Sequence, residues 1–154
     1  MSSGADAVIR EETDLPRPEW DRLADVVYPD GDLGAAIASG SRPSAGMAIV
    51  PCSGNTVAKV ALGLADTLIT RAAAVHLKER RRLVIVPRET PLSTVLLRHL
   101  ASLSELGVTV LVAAPPYYIR PRTVDDMTHY LAGKVLDQFG VPHRLYRGWR
   151  SEAP

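Results

Sequence analysis

The stretch RRLVIVPRETPLS, residues 81–93, decides the fold. Leu83, Val84, Ile85, Val86 and Pro87 form an apolar, largely β-branched run without polar alternation, the pattern of a strand buried on both faces. Arg88 and Glu89 follow at once, then Thr90 and Pro91. Leu92, Leu96, Leu100 and Leu103 then recur on one helical face, and Gly107 can stop that helix. Pro91 suits the first position of such a helix. A buried strand that ends in two opposite charges and turns straight into a helix is a unit of a parallel sheet.

Two more runs have the same character: GMAIVP, residues 46–51, and VTVLVAAP, residues 108–115. They too are expected to be buried on both faces. Asp66 can cap a helix that runs to about Glu79. A last helix opens with Thr123, Asp125 and Asp126, continues on Met127, Leu131, Val135 and Phe139, and stops at Gly140. Residues 2–12 also read as a helix, with no strand ahead of them, whereas a doubly wound domain normally opens with a strand and a phosphate-binding turn. Residues 15–42 are mixed and rich in Gly, Pro and Asp, so an irregular excursion is expected, with a loosely held tail after Pro142. The expected fold is α/β: residues 1–154 form a single domain, a three-layer parallel sheet with helices on both faces.

A chain of 154 residues is long enough for one domain with a real core. Its net charge of +1 makes no electrostatic case for nucleic acid or an anionic membrane. Scarce aromatics argue against a base-stacking surface. One cysteine excludes a disulfide framework and a cysteine metal cage, so a reducing, cytoplasmic setting is the default. No apolar run approaches the ~18 residues of a spanning helix. The histidines His76, His99, His129 and His143 have no ligand spacing, and no metal site is expected.

In open α/β sheets ligands bind beyond the carboxyl ends of the strands. Beyond the first run stand Cys52, Ser53, Gly54, Asn55 and Thr56. Their hydroxyls and the free N–H groups of a helix start suit a phosphate or a polar ring edge. The alternative is that Ser53 or Thr56 merely caps the helix. Ala38-Ser39-Gly40-Ser41 is a second Ser/Gly loop that also reads as a plain turn. Beyond the second run, Glu89 can act as general acid or base, and Arg88 can bind an anion or hold down the pKa of Glu89. A surface pair of minor energetic weight is the other reading. Beyond the third run come Pro116, Tyr117 and Tyr118. The basic run Lys78-Glu79-Arg80-Arg81-Arg82 ends a helix, where the helix dipole favours cations. It enters its strand at the end remote from Glu89. Cys52 reads as a small buried residue rather than a nucleophile.

Taken in order, EETDL, ASGS, PCSGNT, LITRAAAVHLKERRRLVIVPRETPLS, PPYYIRP and VLDQFG resemble the UbiX-type flavin prenyltransferases. These belong to a wider flavoprotein group that includes peptidyl-cysteine decarboxylases. The run AAAVHLKERRRLVIVPRETP carries most of the similarity, with Ala74 where the family often has Asp. The resemblance implies a Rossmann-like, flavodoxin-like fold and a metal-independent transfer of a dimethylallyl group from dimethylallyl phosphate to reduced FMN, across N5 and C6. It implies a homo-oligomer, commonly a dodecamer, with sites between subunits, and prenylated FMN delivered to a UbiD-type decarboxylase. Rival activities are an FMN-dependent decarboxylase, a decarboxylase small subunit, and a non-catalytic flavin-binding subunit.

By position, the resemblance assigns Ser2, Ser53, Gly54, Asn55, Thr56 and Arg71 to flavin binding. It assigns Tyr118 and Lys134 to the prenyl phosphate, with Lys78 and Arg88 as further cations. Glu12 and Glu89 match the acidic pair that handles protons, and Trp149 matches an aromatic cover. Lys78 is expected to serve a neighbouring subunit's site. Lys134 stands where arginine is common, a point charge in place of a fork. The family opens with a strand and a glycine loop that contacts FMN, and Met1-Ser2 aligns with an interior position. The chain thus resembles a member without its first βα unit, and weak FMN binding is expected of it.

Overall fold

A computed structural model describes residues 1–148. The chain begins with α1 (Ser3–Glu12) and a short α2 (Arg17–Asp21), followed by one 3₁₀ turn, Ala36–Ala38. The sheet comprises β1 (Met47–Cys52), β2 (Leu83–Pro87) and β3 (Thr109–Val110), all parallel, in the order β1-β2-β3. Between and after the strands lie α3 (Gly54–Ala61), α4 (Leu68–Lys78), α5 (Thr94–Glu105) and α6 (Val124–Gln138). Among the described residues no helix is long and apolar enough to cross a membrane.

All five residues of β2 are buried, as its composition predicts. Leu83 and Ile85 join a core made with Ile49, Val57, Val60, Leu96, Leu100 and Leu103, so α3 and α5 pack on that face. Val84 and Val86 point the other way, by the two-residue period of a strand, and are buried as well. Leu103 is fully enclosed. Leu103→Ala is expected to cost about 2–5 kcal/mol, the range for emptying a well-packed leucine site. The check is the urea midpoint at fixed protein concentration. A shift no larger than that of a surface substitution would show the α5 seam to be loosely packed.

Several sequence expectations need correction. β1 is not buried on both faces: Ile49 and Cys52 point inward, while Ala48, Val50 and Pro51 are exposed. As an edge strand of this sheet it packs its core-facing side only, and an unbroken apolar run cannot reveal that. β3 is shorter than the run that contains it, although Leu111 and Ala113 still donate to Ile85 O and Pro87 O at 2.9 and 3.0 Å. The helix after β2 starts at Thr94 rather than at Pro91. The Ser93 hydroxyl accepts the Leu96 N–H and sets the boundary, and Pro91 lies in a cis peptide ahead of it. Helix α4 is capped by Thr67, not Asp66: Thr67 and Thr70 form a reciprocal capping box, and Asp66 instead pairs with Lys59. The tail is not loose through the described residues. His143 and Tyr146 both bond Asp137 on α6.

Other expectations hold. Helix α1 starts after Ser2, and α6 runs from its Thr123 cap, with Asp126 completing a capping box, to Gly140 at φ +66°. Gly46, at φ +152°, is required by close approach: a Cβ there would stand 2.6 Å from the Phe139 ring and 2.9 Å from Arg82 O. The end of α6 is thereby brought against the amino edge of the sheet.

Candidate functional site

The register pairs Cys52 with Pro87, so Ser53 and Arg88 leave neighbouring strands side by side at the carboxyl edge. The Ala113–Pro87 hydrogen bond brings the 114–118 segment out at the same edge. The three polar strand ends therefore share one edge, as the parallel topology requires.

At the first end, Ser53 is the N-cap of α3. Its hydroxyl accepts the Thr56 N–H at 3.3 Å and lies 3.0 Å from the Thr56 hydroxyl. Ser53 thus does cap the helix, with the Thr56 hydroxyl against its own. The N–H groups of Gly54 and Asn55 fall in the first turn, where a helix offers no internal acceptor. Gly54 is open: a Cβ would meet nothing closer than Leu96 at 3.9 Å. Cys52 is buried beneath this loop, and burial pushes its thiol up to about 12. Because the thiolate is the reactive form, iodoacetamide at about pH 8 is expected to label Cys52 only after unfolding. Mass spectrometry of native and urea-treated protein checks this; rapid native labelling would contradict the burial.

At the second end, Arg88 forms a two-pronged pair with Glu12: Nη1 to Oε2 at 2.5 Å and Nη2 to Oε1 at 2.8 Å. The bond to Arg88 lowers the pKa of Glu12, and the same bond raises that of Arg88. This corrects the expectation that Arg88 acts on Glu89. The guanidinium turns to the last turn of α1 because Glu12 presents a fork-matching carboxylate there. Glu89 is exposed, and among the described residues it has no hydrogen-bond or ion-pair partner.

At the third end, Tyr118 meets α6. The Tyr118 and Tyr130 hydroxyls are 3.3 Å apart with the rings edge to face. The Tyr130 ring lies 4.7 Å from that of Tyr146, and Lys134 Nζ stands 5.8 Å from the Tyr146 centroid. Asp137 accepts from Tyr146 at 2.5 Å, His143 at 2.9 Å and Lys134 at 3.2 Å. Those three bonds, led by the Tyr146 phenol, hold the Asp137 carboxyl down at about 2. Tyr118 and Lys134 therefore belong to one cluster. Tyr130, Asp137, His143 and Tyr146 escape sequence reasoning. The three-residue spacing of Lys134 and Asp137 on a helix is the one cue to them.

The remaining assigned residues are dispersed. Ser2 caps α1 without using its hydroxyl, one helix length, roughly 15 Å, from Glu12. Arg71 lies in the first half of α4 and donates to Ala38 O at 3.3 Å. Lys78 ends α4 and pairs with Glu79. It lies at the amino end of β2, separated from Arg88 by the strand's length of about 16 Å. Arg81, read from sequence only as part of a basic run, clamps the 39–42 turn through Gly40 O and Arg42 O at 2.5 and 2.6 Å. Trp149 lies outside the described residues. Among the described residues no group of three or more His, Cys, Asp or Glu side chains is placed to hold a metal ion.

A three-stranded parallel sheet with hydroxyls, a helix start and a charged pair along its carboxyl edge defines a flavoprotein-type α/β domain, and the model of the family described as Flavoprotein matches residues 9–135. The chain belongs to the UbiX flavin prenyltransferase family of flavoproteins. The flavin prenyltransferase UbiX of Thermoplasma acidophilum is 48% identical over 149 residues, covering 97% of this chain and 83% of that protein. The crystal structure of AnUbiX (PadA1) in complex with FMN and dimethylallyl pyrophosphate matches with a TM-score of 0.96 at 38% identity, over 99% of this chain and 81% of the other. A dodecameric FMN-dependent UbiX-like decarboxylase from Escherichia coli O157:H7 matches with a TM-score of 0.96 at 44% identity, over 98% and 82%.

Proposed function

We propose that the chain is a flavin prenyltransferase that transfers a dimethylallyl group from dimethylallyl phosphate to N5 and C6 of reduced FMN. The observation that carries it is the carboxyl edge of β1 and β2, where the α3 helix start, the fork of Arg88 on Glu12, and a Glu89 without a partner among the described residues stand together. The residues suit the cofactor: the first-turn N–H groups of Gly54 and Asn55 and the open face of Gly54 can receive a polar flavin edge or phosphate. When bound, reduced FMN supplies the nucleophilic ring positions.

In this reading Ser53, Gly54, Asn55 and Thr56 orient the flavin, and Ser2 and Arg71 reach more distant parts of the same long ligand. Arg88, Lys134 and Tyr118 hold the donor's phosphate, and the positive charge of Arg88 and Lys134 favours the phosphate as it leaves. Glu89 moves a proton at that phosphate. Glu12 is the second acid of the pair, fixed by Arg88. Lys78 reaches a site only from a neighbouring copy. Residues 1–154 act as one flavoprotein domain.

Assembly into a homo-oligomer, with the dodecamer of the related decarboxylase as a pattern, is supported by apolar side chains such as Leu23, 79% exposed in the single chain. The product would pass to a UbiD-type decarboxylase. A cytoplasmic, reducing setting agrees with the lone thiol and the reduced flavin. Two cationic centres, Arg88 and Lys134, favour a phosphate donor over direct decarboxylation of a peptide. Gel filtration of the protein with excess FMN tests the flavin site. Saturable uptake of FMN by the protein, with FMN present throughout the column buffer, supports the reading even where the binding is weak, and no uptake at millimolar FMN would overturn it.

A further inference from the structure

The geometry points to Asp137 as a positioning residue that sets the Lys134 ammonium for the phosphate of the prenyl donor, held in place by Tyr146 and His143. This inference rests on the reading of Lys134 as a phosphate ligand.

Helix α6 places Tyr130, Lys134 and Asp137 along one side at four- and three-residue steps. The chain after the helix folds back so that His143 and Tyr146 reach the same side. Gly133 admits that return: a Cβ there would lie 2.6 Å from the Tyr146 ring and 2.7 Å from His143 Cε1. Glycine is a poor helix-interior residue, and here the close approach explains its presence. His143 Nδ1 accepts the Leu145 N–H at 3.2 Å, so Nε2 carries the ring proton and donates to Asp137.

The Asp137 carboxylate thus has two donors that do not depend on Lys134. Its bond to Lys134, at 3.2 Å, is the longest of the three. The negative charge is shared, so the ammonium is oriented rather than cancelled. An ammonium has three donors. One goes to Asp137 and a second faces the Tyr146 hydroxyl, which leaves the third for an anion beside the Tyr130–Tyr118 phenol pair. Without Asp137 the long lysine side chain would sample many rotamers and lose that orientation.

The test is a double-mutant cycle on donor KM, kcat and flavin Kd, with Asp137→Asn, Lys134→Ala and the double variant. Asp137→Asn is expected to raise donor KM about tenfold, one charge-assisted hydrogen bond's worth, with the effect on KM rather than kcat or flavin affinity. In the Lys134→Ala background the same change is expected to add nothing. Tyr146→Phe keeps the ring in the Gly133 notch, removes only the phenol bond, and is expected to give a smaller rise in KM. It also serves as the reporter if Asp137→Asn fails to fold. An equal KM penalty with and without Lys134 would overturn the inference, showing that Asp137 only docks the tail. So would wild-type KM in both Asp137→Asn and Tyr146→Phe while Lys134→Ala raises it, and the phosphate reading would then stand. An unchanged donor KM in Lys134→Ala would remove the phosphate reading itself, and this inference with it.

Discussion

Glu89→Gln is expected to bind flavin and donor like the parent chain, yet to form product about a hundredfold more slowly or worse, the usual scale of a general acid–base contribution. Glu89 follows the fully buried strand β2 by two residues, so its backbone is held firmly at the ligand edge. Its carboxylate is not committed to any described partner, whereas Arg88 is committed to Glu12. Glutamine keeps the size and the hydrogen-bonding amide but cannot carry the proton. The isosteric change therefore separates proton transfer from shape. Glu12→Gln would be a poorer probe, because it also breaks the fork on Arg88. Single-turnover rates with saturating FMN and donor make the measurement. Parent-like rates would contradict the role of Glu89, and a loss of flavin affinity would show that it binds rather than reacts.

Arg88→Met is expected to raise donor KM about ten- to a hundredfold, the loss of a charge-assisted hydrogen bond of about 1.5–3 kcal/mol. The fold should survive. The Arg88–Glu12 pair is half exposed, with side chains 50% and 45% accessible, and such pairs contribute only about 0–1 kcal/mol. Arg88→Lys keeps the charge but loses the fork that matches both the Glu12 carboxylate and a phosphate, so an intermediate KM is expected. Thermal melts of all three proteins separate binding from stability. An unchanged donor KM in a folded Arg88→Met protein would reduce Arg88 to a tether for α1.

How much of this was legible in sequence depends on how local the cause is. The strand β2 is legible because five successive apolar residues have no surface to face. The ends of α6 are legible because Thr123, Asp126 and Gly140 each act within one turn. The start of α5 is not, since Pro91 and Ser93 are both good openings and only the Ser93 hydroxyl bond decides between them. The exposed face of β1 is invisible for another reason: Ala48 and Val50 are as apolar as inward residues, and an edge position is a property of the sheet. At the site, the hydroxyl loop after β1 and the Arg88–Glu89 corner follow from position on a strand end. The partnership of Arg88 with Glu12, 76 residues away, does not, because it depends on where α1 docks. Asp137 and Tyr146 meet only because Gly133 lets the tail close over α6.

The most direct measurement of the central claim is the identity of the flavin after anaerobic incubation of the protein with reduced FMN and dimethylallyl phosphate. The same incubation with dimethylallyl pyrophosphate, and one with no donor, stand beside it, each read by mass spectrometry. The account predicts a flavin product that carries the donor's five-carbon unit, formed only with protein and donor together and suppressed in Glu89→Gln. Recovery of unmodified FMN from every incubation of a flavin-bound, folded protein would contradict it.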